Sequence, residues 1–302
     1  WILEKCDSHE EYYLLCGKWM IGRISTASIV ASEITVSRNH VAIDVSDSYD
    51  PKDPHSVMTL TISDMHTKHG TKWNGEPIST IQLSTESTHG ILQLSKTCSY
   101  SIRWKPTMFC FSRIPSSQRR ILQAKLRKLG FHYNSDYASG VTSHLVVSES
   151  LDVTIKVLQA LIDGISVVTP PFIDAIQKLK LPPADAYRPS QDAMKIDLSL
   201  HPQRKTVFKG FTFHFLDPSS PYTEIVPLAG GQIDRTSLTY ASQASSPLAS
   251  HIVVFPSEES PELSSEASVT LKRPLSEAAA AWARRGWLPL AEQELMRALV
   301  FD

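Results

Sequence analysis

The hydrophobic period of this 302-residue chain changes once, at Pro106, and that change excludes a single uniform fold. Before Pro106 the apolar residues alternate with polar ones: Val41, Ile43 and Val45 form one set, Met58, Leu60 and Ile62 a second, and Tyr100, Ile102 and Trp104 a third. A period of two sends successive side chains to opposite faces, which suits strands with one buried side. Many short runs of this kind, separated by turns, predict an all-β sandwich over residues 1–106. Residues 45–56 interrupt the pattern with a polar, Pro-containing insert that reads as a surface loop. Asn74-Gly75 reads as a hairpin turn, because that pair tolerates the positive φ such a turn needs.

Beyond Pro106 strands alternate with helices. Met108 to Phe111 is a short apolar strand, and Gln118 to Leu129 is helical, with Leu122, Leu126 and Leu129 on one stripe and Gly130 where a helix stops. A buried strand follows at residues 143–148, then a helix from Asp152 to Asp163 closed by Gly164. Val167-Val168 leads to Thr169-Pro170, which reads as a helix start with a hydroxyl cap. This order predicts a small parallel α/β layer over residues 107–181. Residues 182–203 are Pro-rich and polar and read as a linker. A second, weaker copy of the strand-helix pattern occupies 204–302: segments 206–216, 224–233 and 250–255, a helix from Ser276 to Arg285, and an amphipathic stretch from Leu290 to Leu299. Gly230-Gly231 reads as a tight turn rather than a nucleotide loop. Two polar runs, Thr236 to Ala249 and the acidic, Ser-rich 257–268, carry no periodic signal, and the second reads as mobile.

Composition narrows the function. With 42% hydrophobic and 20% charged residues the chain can bury more than one core, and a formal net charge of -1 argues against a chain-wide polyanion-binding surface. Cys6, Cys16, Cys98 and Cys110 are scattered, with no C-x-x-C pair and no His at metal spacing, so no metal, cofactor or disulfide framework is expected and a reducing compartment fits. No apolar run is long enough to span a membrane and no cleavable signal is visible. The chain starts at Trp1 rather than Met, as a piece of a longer protein would. Ser37, His40 and Asp44 are the right types for a hydrolase triad, but a nucleophile and base three apart beside a period-two strand is poor geometry. Enzymatic activity is not expected.

Phosphate recognition is better supplied. A phosphate dianion needs a fixed cation, short hydroxyl donors and backbone N–H groups on loops over a stiff scaffold. Arg23 after Gly22, Ser37 with Arg38, and Lys68 provide those groups in three short segments, 22–25, 35–44 and 67–78. Gly22 would let the chain turn tightly as it leaves a strand, and a guanidinium can bind two phosphate oxygens at once.

Those segments, in that order, resemble the phosphothreonine-binding loops of a forkhead-associated (FHA) domain. The resemblance implies that Arg23, Ser37, Arg38, Lys68, His69 and Thr71 face the phosphopeptide, while Gly22, His40, Asn74 and Gly75 support the site. It also implies that His40 ties the two binding loops together beneath the phosphate. Many members carry Asn where this chain has His69, a departure that keeps a structural spacer with a vestigial phosphate site as the competing reading. Residues 107–181 and, more weakly, 204–302 resemble BRCT repeats. By that resemblance Ser112 and Lys156 would hold a second phosphate, although Ser116 or Ser117 could simply cap the first helix and Lys156 be one more solvated lysine.

The order FHA, BRCT, BRCT resembles the regulatory subunits of the MRN double-strand-break repair complex. Such a resemblance implies a non-catalytic nuclear adaptor, at chromatin near DNA breaks, that binds phosphorylated Ser-Asp-Thr-type acidic motifs of damage-response scaffolds and a CtIP-like resection cofactor. The segments that bind the MRN nuclease and the ATM kinase would lie outside this chain.

Overall fold

A computed structural model of the chain describes residues 1–176, 179–190, 197–235, 250–256 and 288–300. The described residues fall into two compact units: those within 1–136, 141–146 and 169–187 form the first, and those within 137–140, 147–168 and 188–302 the second.

The first unit opens with eleven strands: β1 (Ile2–Lys5), β2 (Glu11–Tyr13), β3 (Gly17–Gly22), β4 (Ile29–Val30), β5 (Val41–Val45), β6 (Leu60–Asp64), β7 (Thr71–Trp73), β8 (Glu76–Ile78), β9 (Thr80–Leu83), β10 (His89–Gln93) and β11 (Ser99–Arg103). They make a six-stranded sheet in the order β2-β1-β11-β10-β7-β8 and a five-stranded sheet in the order β4-β3-β5-β6-β9. Alternation in the sequence becomes alternation in burial: along β5, Val41, Ile43 and Val45 are buried while Ala42 and Asp44 are not. Ile43 pairs with Ile62 on β6 and with Trp19 on β3, so one face of the sheet is apolar. Leu3, Ile21, Ile43, Leu60, Ile62, Leu92 and Tyr100 lie in the resulting core. Each fully buried aliphatic side chain there contributes about 1.5–3 kcal/mol. Gly90 is open on one side for the Trp73 ring, since a Cβ there would sit 2.1 Å from it. Leu179 covers the outer edge of the first sheet, its carbonyl accepting the Tyr13 N–H at 2.7 Å.

A second layer in the same unit consists of β12 (Met108–Phe111), α1 (Ser116–Leu129), β13 (His132–Asn134) and β14 (Thr142–Val146), with β12 paired in parallel to both other strands. All four residues of β12 are buried, as a central parallel strand requires. Gly130 takes φ 90° and returns its N–H to the Arg127 and Leu126 carbonyls, which ends α1. No side chain caps the start of α1; Pro115 occupies that position, so neither Ser116 nor Ser117 is a cap.

The insert at 45–56 is a surface loop, as expected, with residues 46–56 all exposed or half-buried, and it is also docked. The Tyr49 hydroxyl donates to the Phe131 carbonyl at 2.9 Å, the Pro51 carbonyl accepts the Tyr133 N–H at 2.8 Å, and the Ser56 carbonyl lies 3.0 Å from His132 Nε2. What the sequence did not show is that three of its polar groups bond to residues 131–133, more than 75 residues away.

The second unit contains α2 (Ile155–Asp163) and β15 (Ser166–Val168), while α3 (Pro171–Ala175) belongs to the first. Thr154 caps α2 by accepting the Val157 N–H, and Gly164 closes it at φ 73°. Thr169 does not cap α3: its hydroxyl donates to the Tyr187 carbonyl at 3.0 Å, and Pro170 takes the cap position. The rest of the second unit is β16 (Thr212–Phe215), α4 (Ile225–Leu228), β17 (Gln232–Ile233), β18 (His251–Phe255), β19 (Leu288–Ala291) and α5 (Glu292–Val300). Its sheet runs β17-β16-β18-β19, parallel throughout. Gly230, at φ 85°, ends α4 with its N–H to the Pro227 carbonyl, a turn as expected. The helix expected over Ser276 to Arg285, the polar run 257–268 and the run from Thr236 to Ala249 lie outside the described residues. The fold is therefore a β-sandwich followed by parallel α/β layers.

Candidate functional site

Three loops meet at one end of the sandwich. The first leaves β3 after Gly22, the second precedes β5 at residues 36–40, and the third joins β6 to β7 at residues 65–70. Their backbones are bonded to each other. Arg23 N–H donates to the Ser37 carbonyl at 3.0 Å, Ile24 N–H to the Arg38 carbonyl at 3.4 Å, and His40 N–H to the Ile21 carbonyl at 2.9 Å. Met65 N–H reaches the His40 carbonyl at 2.9 Å.

Gly22 sits where the first two loops approach most closely. A Cβ on it would lie 2.0 Å from the Arg38 carbonyl oxygen, so no other residue fits. Its φ is not in the positive range. The glycine is needed for space rather than for a turn, which corrects the sequence-based reason for it.

Arg23 is exposed, and its Nε donates to the Val36 carbonyl at 3.2 Å. That bond fixes the guanidinium by its inner nitrogen. Among the described residues the two terminal nitrogens of Arg23 have no partner, so the side chain keeps its two-pronged end for an external oxyanion. Ser37 is half-buried; its N–H and carbonyl are both used within the loops, and its hydroxyl makes no hydrogen bond among the described residues. Arg38 and Lys68 are exposed cations on the second and third loops, and His69 is exposed beside Lys68.

His40 is fully buried beneath these groups. Its Nδ1 accepts the Ser37 N–H at 3.0 Å, so the ring proton is on Nε2, which faces the Gly70 carbonyl at 3.4 Å. The ring therefore bridges the second and third loops as a neutral imidazole. Burial pushes its pKa below the ordinary 6.5, against the opposing pull of the Gly70 bond and Asp64. With both nitrogens so engaged, neither serves the Ser37 hydroxyl or Asp44, and Asp44 is exposed on β5 with Lys18 3.9 Å away. The triad arrangement does not form.

Asp64, which the sequence reading passed over, organises the third loop. Its Oδ1 accepts the hydroxyls of Thr67 at 2.7 Å and Thr71 at 2.5 Å, and its Oδ2 accepts the Thr67 N–H at 2.9 Å. Burial works to raise this carboxyl, but the Thr71 and Thr67 bonds and His40 together hold it below its ordinary range. Thr71 is fully buried with its hydroxyl committed to Asp64. The signal was present as Asp with a Thr three residues on, a local side-chain-to-backbone pattern. Asn74 (φ 51°) and Gly75 (φ 90°) form the β7–β8 turn, and the Asn74 side chain accepts the Ile91 N–H at 2.8 Å, tying the hairpin to β10.

Ser112 is buried at the end of β12, in the first unit, with its N–H on the Val146 carbonyl at 2.9 Å. Lys156 is in the first turn of α2, in the second unit. Their joint role rests on the sequence alone. Among the described residues no group of three or more His, Cys, Asp or Glu side chains is placed to hold a metal, and no helix is long and apolar enough to cross a membrane. Asp197, Ser199 and His201 cluster in the second unit, but one nitrogen, His201 Nε2, meets both the Ser199 hydroxyl and the Asp197 carboxylate. A proton relay needs the two ring nitrogens on different partners, so the cluster is a local turn network.

Comparison with known proteins follows the same division. The FHA domain family matches residues 19–90, and the BRCA1 C Terminus (BRCT) domain family matches residues 105–176. Nibrin of Gallus gallus is 31% identical over 222 residues, 68% of this chain and 29% of that protein. Nibrin of Mus musculus is 30% identical over 244 residues, 74% of this chain and 31% of that protein. The chain thus spans under a third of the length of these relatives. Among solved structures, the S. pombe Nbs1 FHA/BRCT-repeat domain aligns with TM-score 0.57 and 17% identity, covering 98% of this chain and 93% of that one. The S. pombe Nbs1–Ctp1 complex gives TM-score 0.59 at 16% identity, over 98% and 91% of the two chains. These two likenesses extend the shared fold over nearly the whole chain.

Proposed function

The chain is a homologue of the nibrins across their FHA–BRCT region, and from that premise we propose that it is a non-catalytic, phosphopeptide-binding adaptor in DNA double-strand-break repair. The observation that carries the proposal is the tethered Arg23. Its Nε is fixed to the Val36 carbonyl, its terminal nitrogens point to no residue of the described chain, and its backbone is bonded to Ser37. A rigid guanidinium beside an unengaged hydroxyl suits a phosphate dianion, and Arg38 and Lys68 add positive charge for acidic flanking residues. His69, exposed next to Lys68, stands ready to meet the peptide backbone, with Thr71 supporting its loop from below.

The ligand proposed is an acidic phosphothreonine motif of the Ser-Asp-Thr type, borne by damage-response scaffolds or by a resection cofactor. The S. pombe structure of the same fold is a complex of Nbs1 with Ctp1, which supports a protein partner for this region. Contacts to a repair nuclease and a checkpoint kinase are assigned to segments outside this chain, and the site of action to the nucleus.

Charge-assisted hydrogen bonds contribute roughly 1.5–3 kcal/mol each, so Arg23→Ala should weaken phosphopeptide binding by about tenfold or more. The test is calorimetric titration of an acidic phosphothreonine peptide and its unphosphorylated twin against both proteins. Equal affinities for the two peptides would end the proposal. Full affinity in Arg23→Ala would favour the spacer reading, to which the replacement of the usual Asn by His69 lends its only support.

A further inference from the structure

The first unit carries a polar cavity of about 330 Å³, well away in sequence from the Arg23 loops. It is lined by Lys52 from the docked 45–56 insert, by Ser116, Arg119 and Arg120 from the start of α1, and by Asn134 and Ser135 at the end of β13. Three cations and several neutral donors line it, and no carboxylate does.

We propose that this cavity is a separate anion site that takes a phosphate group carried on a protein side chain. Lys52 is an exposed cation on a docked backbone: the Pro51 carbonyl beside it accepts the Tyr133 N–H, and the Tyr49 hydroxyl donates to the Phe131 carbonyl. Two of the insert's three acidic residues turn back on their own loop: Asp50 accepts the Lys52 N–H and Asp53 the His55 N–H, both at 2.9 Å, and the third, Asp47, does not line the cavity. Arg119 is half-buried, its Nη2 3.5 Å from the Ser116 hydroxyl, and Arg120 is exposed next to it. None of the three cations has an ion-pair partner among the described residues.

Their position on α1 strengthens the assignment. Two arginines follow an uncapped helix start with no acidic residue in its first turn, where the helix dipole disfavours positive charge. A bound dianion would offset both the dipole and the mutual repulsion of the cations. The cations converge on one concave space, whereas a duplex presents a row of phosphates and needs cations spread along a face. A phosphoserine or phosphothreonine side chain, which projects a single dianion, matches that shape.

The test uses the whole 302-residue chain, labelled for amide spectra and titrated with inorganic phosphate at constant ionic strength, with chloride as the control. Saturable shifts at the Ser116, Arg119, Asn134 and Ser135 amides are expected, in the wild type and equally in Arg23→Ala, so this site and the Arg23 site can fail separately. The double variant Arg119→Gln/Arg120→Gln should weaken the effect by about tenfold or more, and Lys52→Gln by a smaller factor. Absence of saturable shifts at those amides, or shifts unchanged in both variants, would overturn the site. A short DNA duplex that shifts the same amides at lower concentration than a phosphoserine peptide would overturn the assignment to a protein ligand.

Discussion

Gly22→Ala tests how the phosphate loops are held. The new Cβ would lie 2.0 Å from the Arg38 carbonyl oxygen, 2.9 Å from its carbon and 3.1 Å from Asn39 Cα, where contacts under 3.0 Å are essentially never seen. All three are backbone atoms, so no rotamer change relieves the clash, and the second loop must retreat by about 1 Å. That retreat breaks the Ile24 to Arg38 bond, already 3.4 Å long, and strains the Arg23 to Ser37 bond of 3.0 Å. Overpacking costs about 1–3 kcal/mol and a lost hydrogen bond about 0.5–1.5, so the variant should lose roughly 2–4 kcal/mol of stability. Because the two broken or strained bonds set the spacing of Arg23 and Ser37, phosphopeptide affinity should fall by about tenfold or more as well. Urea unfolding and peptide titration read the two effects. Gly17→Ala is the control: its φ of 126° strains any side chain, but nothing lies within 4 Å, so it should cost stability and leave peptide affinity unchanged. If Gly22→Ala matched the wild type in both assays, the close approach of the loops would not be what holds the site.

Other consequences follow from named partners. Thr71→Val keeps the shape but removes a hydroxyl that donates to the Asp64 carboxylate, so it should cost about 1.5–3 kcal/mol and speed amide exchange at residues 65–70; unchanged exchange would remove Asp64 as the loop's organiser. His40 and His132 are both held below the ordinary 6.5 by burial, and His144, stacked on Phe109 at 4.9 Å, is pushed down to about 4. The unfolded chain therefore takes up these protons first, and stability should fall as pH drops below about 6.5 and level off only below the folded values. Urea midpoints that rise on acidification would contradict the neutral, bridging His40. In the second unit Arg204 is 5% exposed, with Nε on the Leu299 carbonyl at 3.0 Å, Nη2 on the Asp197 carbonyl at 2.7 Å and Nη1 on the Ser199 carbonyl. Arg204→Leu strands those carbonyls and should cost about 3 kcal/mol or more, and Arg204→Lys should rescue little because an ammonium lacks the planar fork. A thermal shift within one degree of wild type for either would refute it.

What was legible in the chain was what neighbours in sequence decide. The burial of Val41, Ile43 and Val45 follows from the pleat, the positive φ of Asn74 and Gly75 from a two-residue hairpin, and the stops at Gly130 and Gly164 from helix ends. What escaped was set by a partner far along the chain. Thr169 had the right type and place for a helix cap, yet its hydroxyl went to Tyr187, eighteen residues later. Arg204, at the start of the second repeat, carried no signal of its own in the sequence, and its role appears only with Leu299, ninety-five residues on. The insert at 45–56 shows both: its polarity placed it at the surface, where it is, but its docking bonds to Phe131 and Tyr133 were not legible, because polarity states only that hydrogen bonds must be made and not with what. The consequence reaches function: the insert bonds the sandwich to β13, so the Arg23 loops and the start of α1 belong to one compact unit. A ligand engaging both the Arg23 loops and the cavity beside Lys52 would then gain from an effective concentration set by its own linker.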